Sequence, residues 1–137
     1  MKGMSKMREI LFRGKSYTDS KWHYGYFFRR FSTPFSPERY EITDGAGLGW
    51  NCPAETIGQF TGLTDKNGKK IFDGDIIKIT FPLSGDSVYL IYWDGENYRW
   101  GYDDLSGDPP YQWEPDISIE YIGNRWDNPE LMEGKNG

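Results

Sequence analysis

From residue 55 onward, short apolar runs alternate with turn residues. ETIGQFTGL (55–63) reads as a strand, and Asn67-Gly68 beyond it is a pair that tolerates positive φ at both central positions of a type I′ hairpin. IFDGDIIKITF (71–81) turns at Asp73-Gly74 and then runs as a strand of β-branched residues until Pro82 stops it. Ser84-Gly85-Asp86 predicts a further turn. VYLIYW (88–93), Asp94-Gly95 and ENYRWGY (96–102) predict a second hairpin with rings on both arms. A polar loop (103–110) separates it from a strand at ISIEYIGN (117–124). Asn128-Pro129 sets up one helical turn, because proline fits the first helical position.

The N-terminal third is patterned less regularly. REILFRG (8–14) is short and apolar at Ile10, Leu11 and Phe12. KWHYGYFFRRF (21–31) is rich in rings, which favour pleated, half-buried positions, and Pro34 and Pro37 follow it. DGAGLGWNCP (44–53) reads as a glycine-rich loop that presents Trp50 from a flexible connection. No segment keeps a helical period for three turns, and turns recur about every 8–12 residues. The expected fold is all-β: a small antiparallel barrel with little helix, its stretch from Gly74 to Tyr102 arranged as an SH3-like meander. Residues 1–6 are expected to be a disordered extension and 133–137 a disordered tail. Residues 7–132 form one domain, divisible into an N-terminal subdomain (7–54) and a barrel core (55–126).

Composition supports folding despite a mean hydropathy of -0.77. Six Trp, ten Tyr and eight Phe supply the core that the aliphatic residues alone would not, since a disordered chain is poor in rings. One cysteine, Cys52, excludes an internal disulfide and a Cys-rich metal site. No apolar stretch approaches the roughly 20 residues that span a bilayer, and the N-terminus lacks a signal-peptide core, so a cytoplasmic protein with no membrane partner is expected. The net charge of -5 is divided unevenly: residues 1–39 carry nine basic and three acidic residues, and residues 40–137 carry seven basic and eighteen acidic.

Candidate chemistry is sparse. His23, the single histidine, has no partner in sequence that would make it a base, and Cys52 would need His23 folded against it to become a nucleophile. Zinc needs four N/S ligands and the chain has two such residues. Asp65-Lys66-Asn67-Gly68 departs from a calcium loop, which places its glycine sixth. Asp73 and Asp75 flank Gly74 and diverge if the second lies in a strand, while Asp103-Asp104 sits in a solvated loop. GAGLG (45–49) precedes no helix, so the dinucleotide fingerprint fails. No catalytic residue, metal or cofactor is expected. The binding candidates are Lys21, Trp22, Arg29, Arg30 and Trp50, which interleave base and ring as single-strand binders do, against a pI of 4.9.

Four stretches together resemble a known family: MREILFRGK (7–15), KWHYGYFF (21–28), GQFTGLTDKNGKKIFDGDIIKI (58–79) and YIGNRWDNPELM (121–132). They resemble the YopX-like family of bacteriophage and prophage proteins, with the central block the most specific and residues 82–116 the least. The resemblance implies a β-barrel core in a phage-encoded protein, a start at Met7, and no transferable activity or site residue. The leading expectation is a non-enzymatic accessory protein that binds a protein partner and forms a homo-oligomer. The alternative is nucleic-acid binding through the basic aromatic strands. A third reading is an acidic decoy acting through residues 103–120, and a hydrolase is the fourth.

Overall fold

In a computed structural model, residues 9–83, 85–96, 99–105 and 118–136 are described. The expectations for residues 1–6, for Ser84 and for most of the 103–120 segment therefore lie outside the described residues, while Gly85 and Asp86, expected in the Ser84 turn, already belong to a paired strand. Ten strands follow in chain order: β1 (Phe12–Lys15), β2 (Trp22–Arg30), β3 (Arg39–Thr43), β4 (Gly49–Asn51), β5 (Gly58–Thr64), β6 (Lys70–Phe72), β7 (Asp75–Phe81), β8 (Gly85–Asp94), β9 (Arg99–Asp104) and β10 (Ser118–Asn124). A single 3-10 turn (Ala54–Thr56) precedes β5, and a 3-10 helix (Pro129–Asn136) begins at the proline expected to start it.

The fold is all-β, as the spacing of turns implies, but it is not a barrel. Six strands form one sheet in the order β4-β3-β2-β1-β5-β6 and four form another in the order β10-β7-β8-β9; neither closes on itself. A second departure from the expected barrel is visible in β7 and β8. A barrel strand buries alternate side chains, whereas Ile76 and Ile77, and Leu90 and Ile91, are buried as consecutive residues. The four-stranded sheet is thus covered on both faces. Ile71, Ile77, Ile79, Phe81, Tyr89 and Ile91 cluster on one, and Ile76, Leu90 and Leu105 on the other with Val88, Ile122, Leu131 and Met132.

The chain divides into two compact units, Met1–Gly62 and Leu63–Gly137. In the second unit, the turn between β5 and β6 is organised differently from a type I′ hairpin, which requires positive φ at two residues. Only Gly68 has it (φ 83). The Asp65 carboxylate builds the turn instead. Its Oδ1 accepts the N–H groups of Asn67 and Lys69, both at 2.9 Å, and its Oδ2 accepts the N–H of Tyr121 in β10 at 3.0 Å. The DGD and GNRWDNP motifs meet in a similar way. Gly74 (φ 91) lies so close under Trp126 that a Cβ would sit 2.2 Å from the ring, and its carbonyl accepts the N–H of Arg125. Buried Asn124 accepts the N–H groups of Trp126 and Asp127 and donates to Tyr121 Oη.

Burial opposes ionisation of Asp65, but the three N–H groups of Tyr121, Lys69 and Asn67 outweigh it and hold the carboxyl below its ordinary value of 3.8. A depressed folded pKa stabilises the protein above the unfolded pKa, and that contribution is lost as pH falls through the folded one. Asp65→Asn keeps an acceptor but loses the charge. It is expected to cost about 1–3 kcal/mol near neutral pH in urea unfolding, because hydrogen bonds to charged groups are the stronger ones. Below about pH 4 the difference from wild type should shrink. A gap that stays constant down to strong acid would remove the carboxylate from this role.

Candidate functional site

The first unit is a ribbon of strands whose two faces differ. Side chains alternate along β2, and partners across a ladder share a face, so the register sorts them. The pairs Gly14↔His23, Phe12↔Gly25, Phe27↔Ile42, Ile42↔Trp50 and Arg29↔Tyr40 define an inner face. The pairs Lys15↔Trp22, Arg13↔Tyr24, Tyr26↔Thr43, Phe28↔Glu41 and Arg30↔Arg39 define an outer one.

The inner face is a small core. Ile42 is fully buried, Phe27 packs against Phe12 at 5.7 Å and Tyr40 at 6.1 Å between ring centroids, and Gly14 leaves room for its neighbours. A Cβ on Gly14 would lie 2.8 Å from both Cys52 Sγ and Ile57 Cδ1. At Gly25, a Cβ would lie 2.1 Å from the carbonyl oxygen of Thr43, so only glycine lets β2 and β3 approach there.

This arrangement decides the fate of the sequence candidates. Trp50 is not carried on a flexible loop: it lies in β4, and its ring stacks on His23 at 3.9 Å and 10°. The glycines around it form the turn, where Asp44 Oδ1 accepts the N–H groups of Ala46 and Leu48, and so deliver Trp50 into a paired strand. His23 Nε2 also bonds Asp19 Oδ2 at 2.8 Å. Asp19 itself is held below its usual pKa, first by the N–H of Lys21 and then by His23. Cys52 is buried, its thiol directed to the Trp50 carbonyl at 3.6 Å, and desolvation pushes its pKa up to about 11. That is the opposite of an activated thiolate. Asp75 is buried in β7, with Oδ2 accepting the Phe72 N–H, while Asp73 Oδ1 accepts the Trp93 N–H, so both serve backbone. Among the described residues, no three His, Cys, Asp or Glu side chains are placed to hold a metal ion. No helix among them is long and apolar enough to cross a membrane.

Arg29 and Arg30, adjacent in sequence, leave on opposite faces. Arg29 turns inward-side to Glu38 (2.5 Å) and lies 4.7 Å from the Phe31 ring; the Glu38 bond raises its pKa. Arg30 turns outward to Glu41 (2.5 Å), which also faces Arg39 at 3.6 Å. Lys21 is exposed just ahead of β2, off the outer row. Of the five binding candidates, the outer face therefore carries Trp22 and Arg30, at opposite ends of β2.

What sequence reasoning missed is the row between them. Trp22, Tyr24, Tyr26, Phe28 and Arg30 occupy every second position of β2, and Tyr24, Tyr26 and Phe28 are 44%, 57% and 50% exposed. Arg13, opposite Tyr24 on β1, is buried beside this row, its guanidinium 4.4 Å from the Trp22 ring, and Arg30 stands 5.9 Å from Phe28. The signal was present as the period-two series W-x-Y-x-Y-x-F-x-R. Separately, a groove of about 410 Å³ opens beside the sheet edge, lined by Tyr17, Arg39, Tyr40, Asn51, Cys52 and Glu55 among others. Its thiol is the raised one, and its cation is shared with Glu41.

A family model described as YopX protein matches residues 2–133, beginning ahead of the Met7 start that the resemblance implied. The chain is also similar to protein EF1440 from Enterococcus faecalis, known from a crystal structure, with 23% identity and a TM-score of 0.49 over 93% of this chain and 100% of that one. No curated protein matches the chain.

With its pKa at about 11, the Cys52 thiol is expected to resist iodoacetamide in the native protein near pH 8 and to react within minutes once denatured. Equal labelling rates in the two states would place Cys52 in an open, activated environment instead.

Proposed function

This chain belongs to the YopX family, and from that premise we propose that it is a non-catalytic binding protein, a phage or prophage accessory factor acting in the cytoplasm through the outer face of its first unit. One observation carries the reading: three consecutive outward side chains of β2, Tyr24, Tyr26 and Phe28, are rings left about half exposed. Aromatic side chains and arginine are the residue types enriched where proteins bind, because a rigid ring contributes large contact area while few torsions are frozen. A fold that needed these rings for its own core would have turned them inward. The commitments of His23 to Asp19 and Trp50, and of Cys52 to a backbone carbonyl, support a role without catalysis.

Self-association is a second reading, favoured by the division of charge. The first unit's sequence carries nine basic and six acidic residues, the second's seven basic and fifteen acidic. Opposite net charges of this kind attract between copies and weaken with salt.

The test is light scattering on a sizing column at low and high salt, with and without a mixed-sequence single-stranded oligonucleotide. The variant is Tyr24→Ser, Tyr26→Ser, Phe28→Ser. Because the rings are half exposed, the variant should melt cooperatively, each change costing on the order of 1 kcal/mol or less. Wild type should exceed the monomer mass in at least one condition, and the variant should remain monomeric in all. A wild type that is monomeric throughout, or a variant that assembles as wild type does, would sink the reading.

A further inference from the structure

The outer face of the first unit has a charge pattern and a shape that select among partners, and this inference rests on the reading above. The row of rings is one residue wide and runs along a single strand. Side chains at every second position of a strand stand roughly 6.6–6.8 Å apart. A linear ligand whose successive flat groups can each meet one ring suits this spacing better than a broad protein surface does. By register, the same face carries Lys15 and Arg13 on β1 at one end of the row. Arg30 on β2 and Arg39 on β3 stand at the other, with Glu41 as the one acidic residue in these pairs. Four cations around rings, two of them already lying against Trp22 and Phe28, complement a polyanion that bears stacking bases.

We propose that this face binds single-stranded nucleic acid, the bases stacking on Trp22, Tyr24, Tyr26 and Phe28 and the phosphates meeting Lys15, Arg30 and Arg39. Arg13, buried against Trp22, braces the first ring. Glu41 is the competitor: it holds Arg30 at 2.5 Å and Arg39 at 3.6 Å, so a phosphate must displace it. The second unit, with seven basic and fifteen acidic residues, offers a polyanion no net attraction.

The experiment is fluorescence anisotropy of labelled mixed-sequence single-stranded oligonucleotides, titrated with the full chain over a range of salt. Binding should weaken with salt with a log–log slope of about −2, from three phosphate contacts at about −0.7 each. Tyr24→Ala and Tyr26→Ala should each weaken it about tenfold or more, with the circular dichroism spectrum unchanged. Glu41→Gln should strengthen it several-fold by releasing Arg30 and Arg39, a gain that damage to the fold would not produce. Absence of binding, or binding that survives removal of the rings, would overturn the proposal. If oligonucleotides do not bind while the ring variants abolish self-association, the face takes a second copy of the chain: the binding function then stands and the nucleic-acid assignment falls. If the rings affect neither measurement, both fall.

Discussion

The carboxylate of Asp65 accepts a backbone N–H from Tyr121, 56 residues along the chain, while two N–H groups of its own turn fill its other oxygen. In a fold with no long helix among the described residues, backbone groups near a sheet's ends have few regular partners, and each must be satisfied before it can be buried. Short side chains whose oxygens accept backbone N–H groups do this in the second unit. Asp65 closes the β5–β6 turn onto β10, Asp75 caps the Phe72 N–H, and Asn124 collects the turn that leads into the C-terminal 3-10 helix. The apolar clusters on the two faces of the four-stranded sheet are held in place by these ties. Without Asp65 in this position, β10 would keep its ladder with β7 but lose the tie at Tyr121 that joins it to the β5–β6 turn.

The first unit depends on a simpler constraint, the alternation of β2. It carries His23 and Phe27 to one side, where they meet Trp50, Tyr40 and Ile42, and Tyr24, Tyr26 and Phe28 to the other. Gly14 and Gly25 make the inner side possible, since a methyl group at either would strike Cys52 and Ile57 or the Thr43 carbonyl. The thiol and the imidazole are consumed by packing. Burial raises the thiol, and the imidazole is fixed between a carboxylate and an indole. The aromatic content that makes the chain foldable thus serves two purposes, a core in one direction and an exposed surface in the other.

The family blocks also take on physical meaning. In TDKNGKK the aspartate works as a three-fold acceptor, in DGD the glycine makes room for an indole, and in GNRWDNP the asparagine and tryptophan dock on that glycine's turn. These residues are specific because several contacts converge on each, and the contacts are structural. The part of the chain with a candidate working face, β2, is instead marked by residue type and period.

By itself the sequence determined the all-β class, the end of β7 before Pro82, and the proline start of the last helix, while β3 and β4 were not legible in it. Glycine, proline and aspartate act on the backbone within a few residues, and that range is readable in one dimension. It also contained the period-two row on β2, because strand alternation is local. Only the tertiary structure decided the rest. Whether a strand buries one face or both depends on what covers it, so the open, doubly covered sheet replaced the expected barrel. The mode of the Asn67-Gly68 turn followed from a hydrogen bond to a distant strand. Trp50 and His23, far apart in sequence, stack because the sheet gathers both side chains on its inner face. Which side of β2 faces solvent was likewise set by those pairings, since alternation separates two faces but cannot say which of them the rest of the chain will bury.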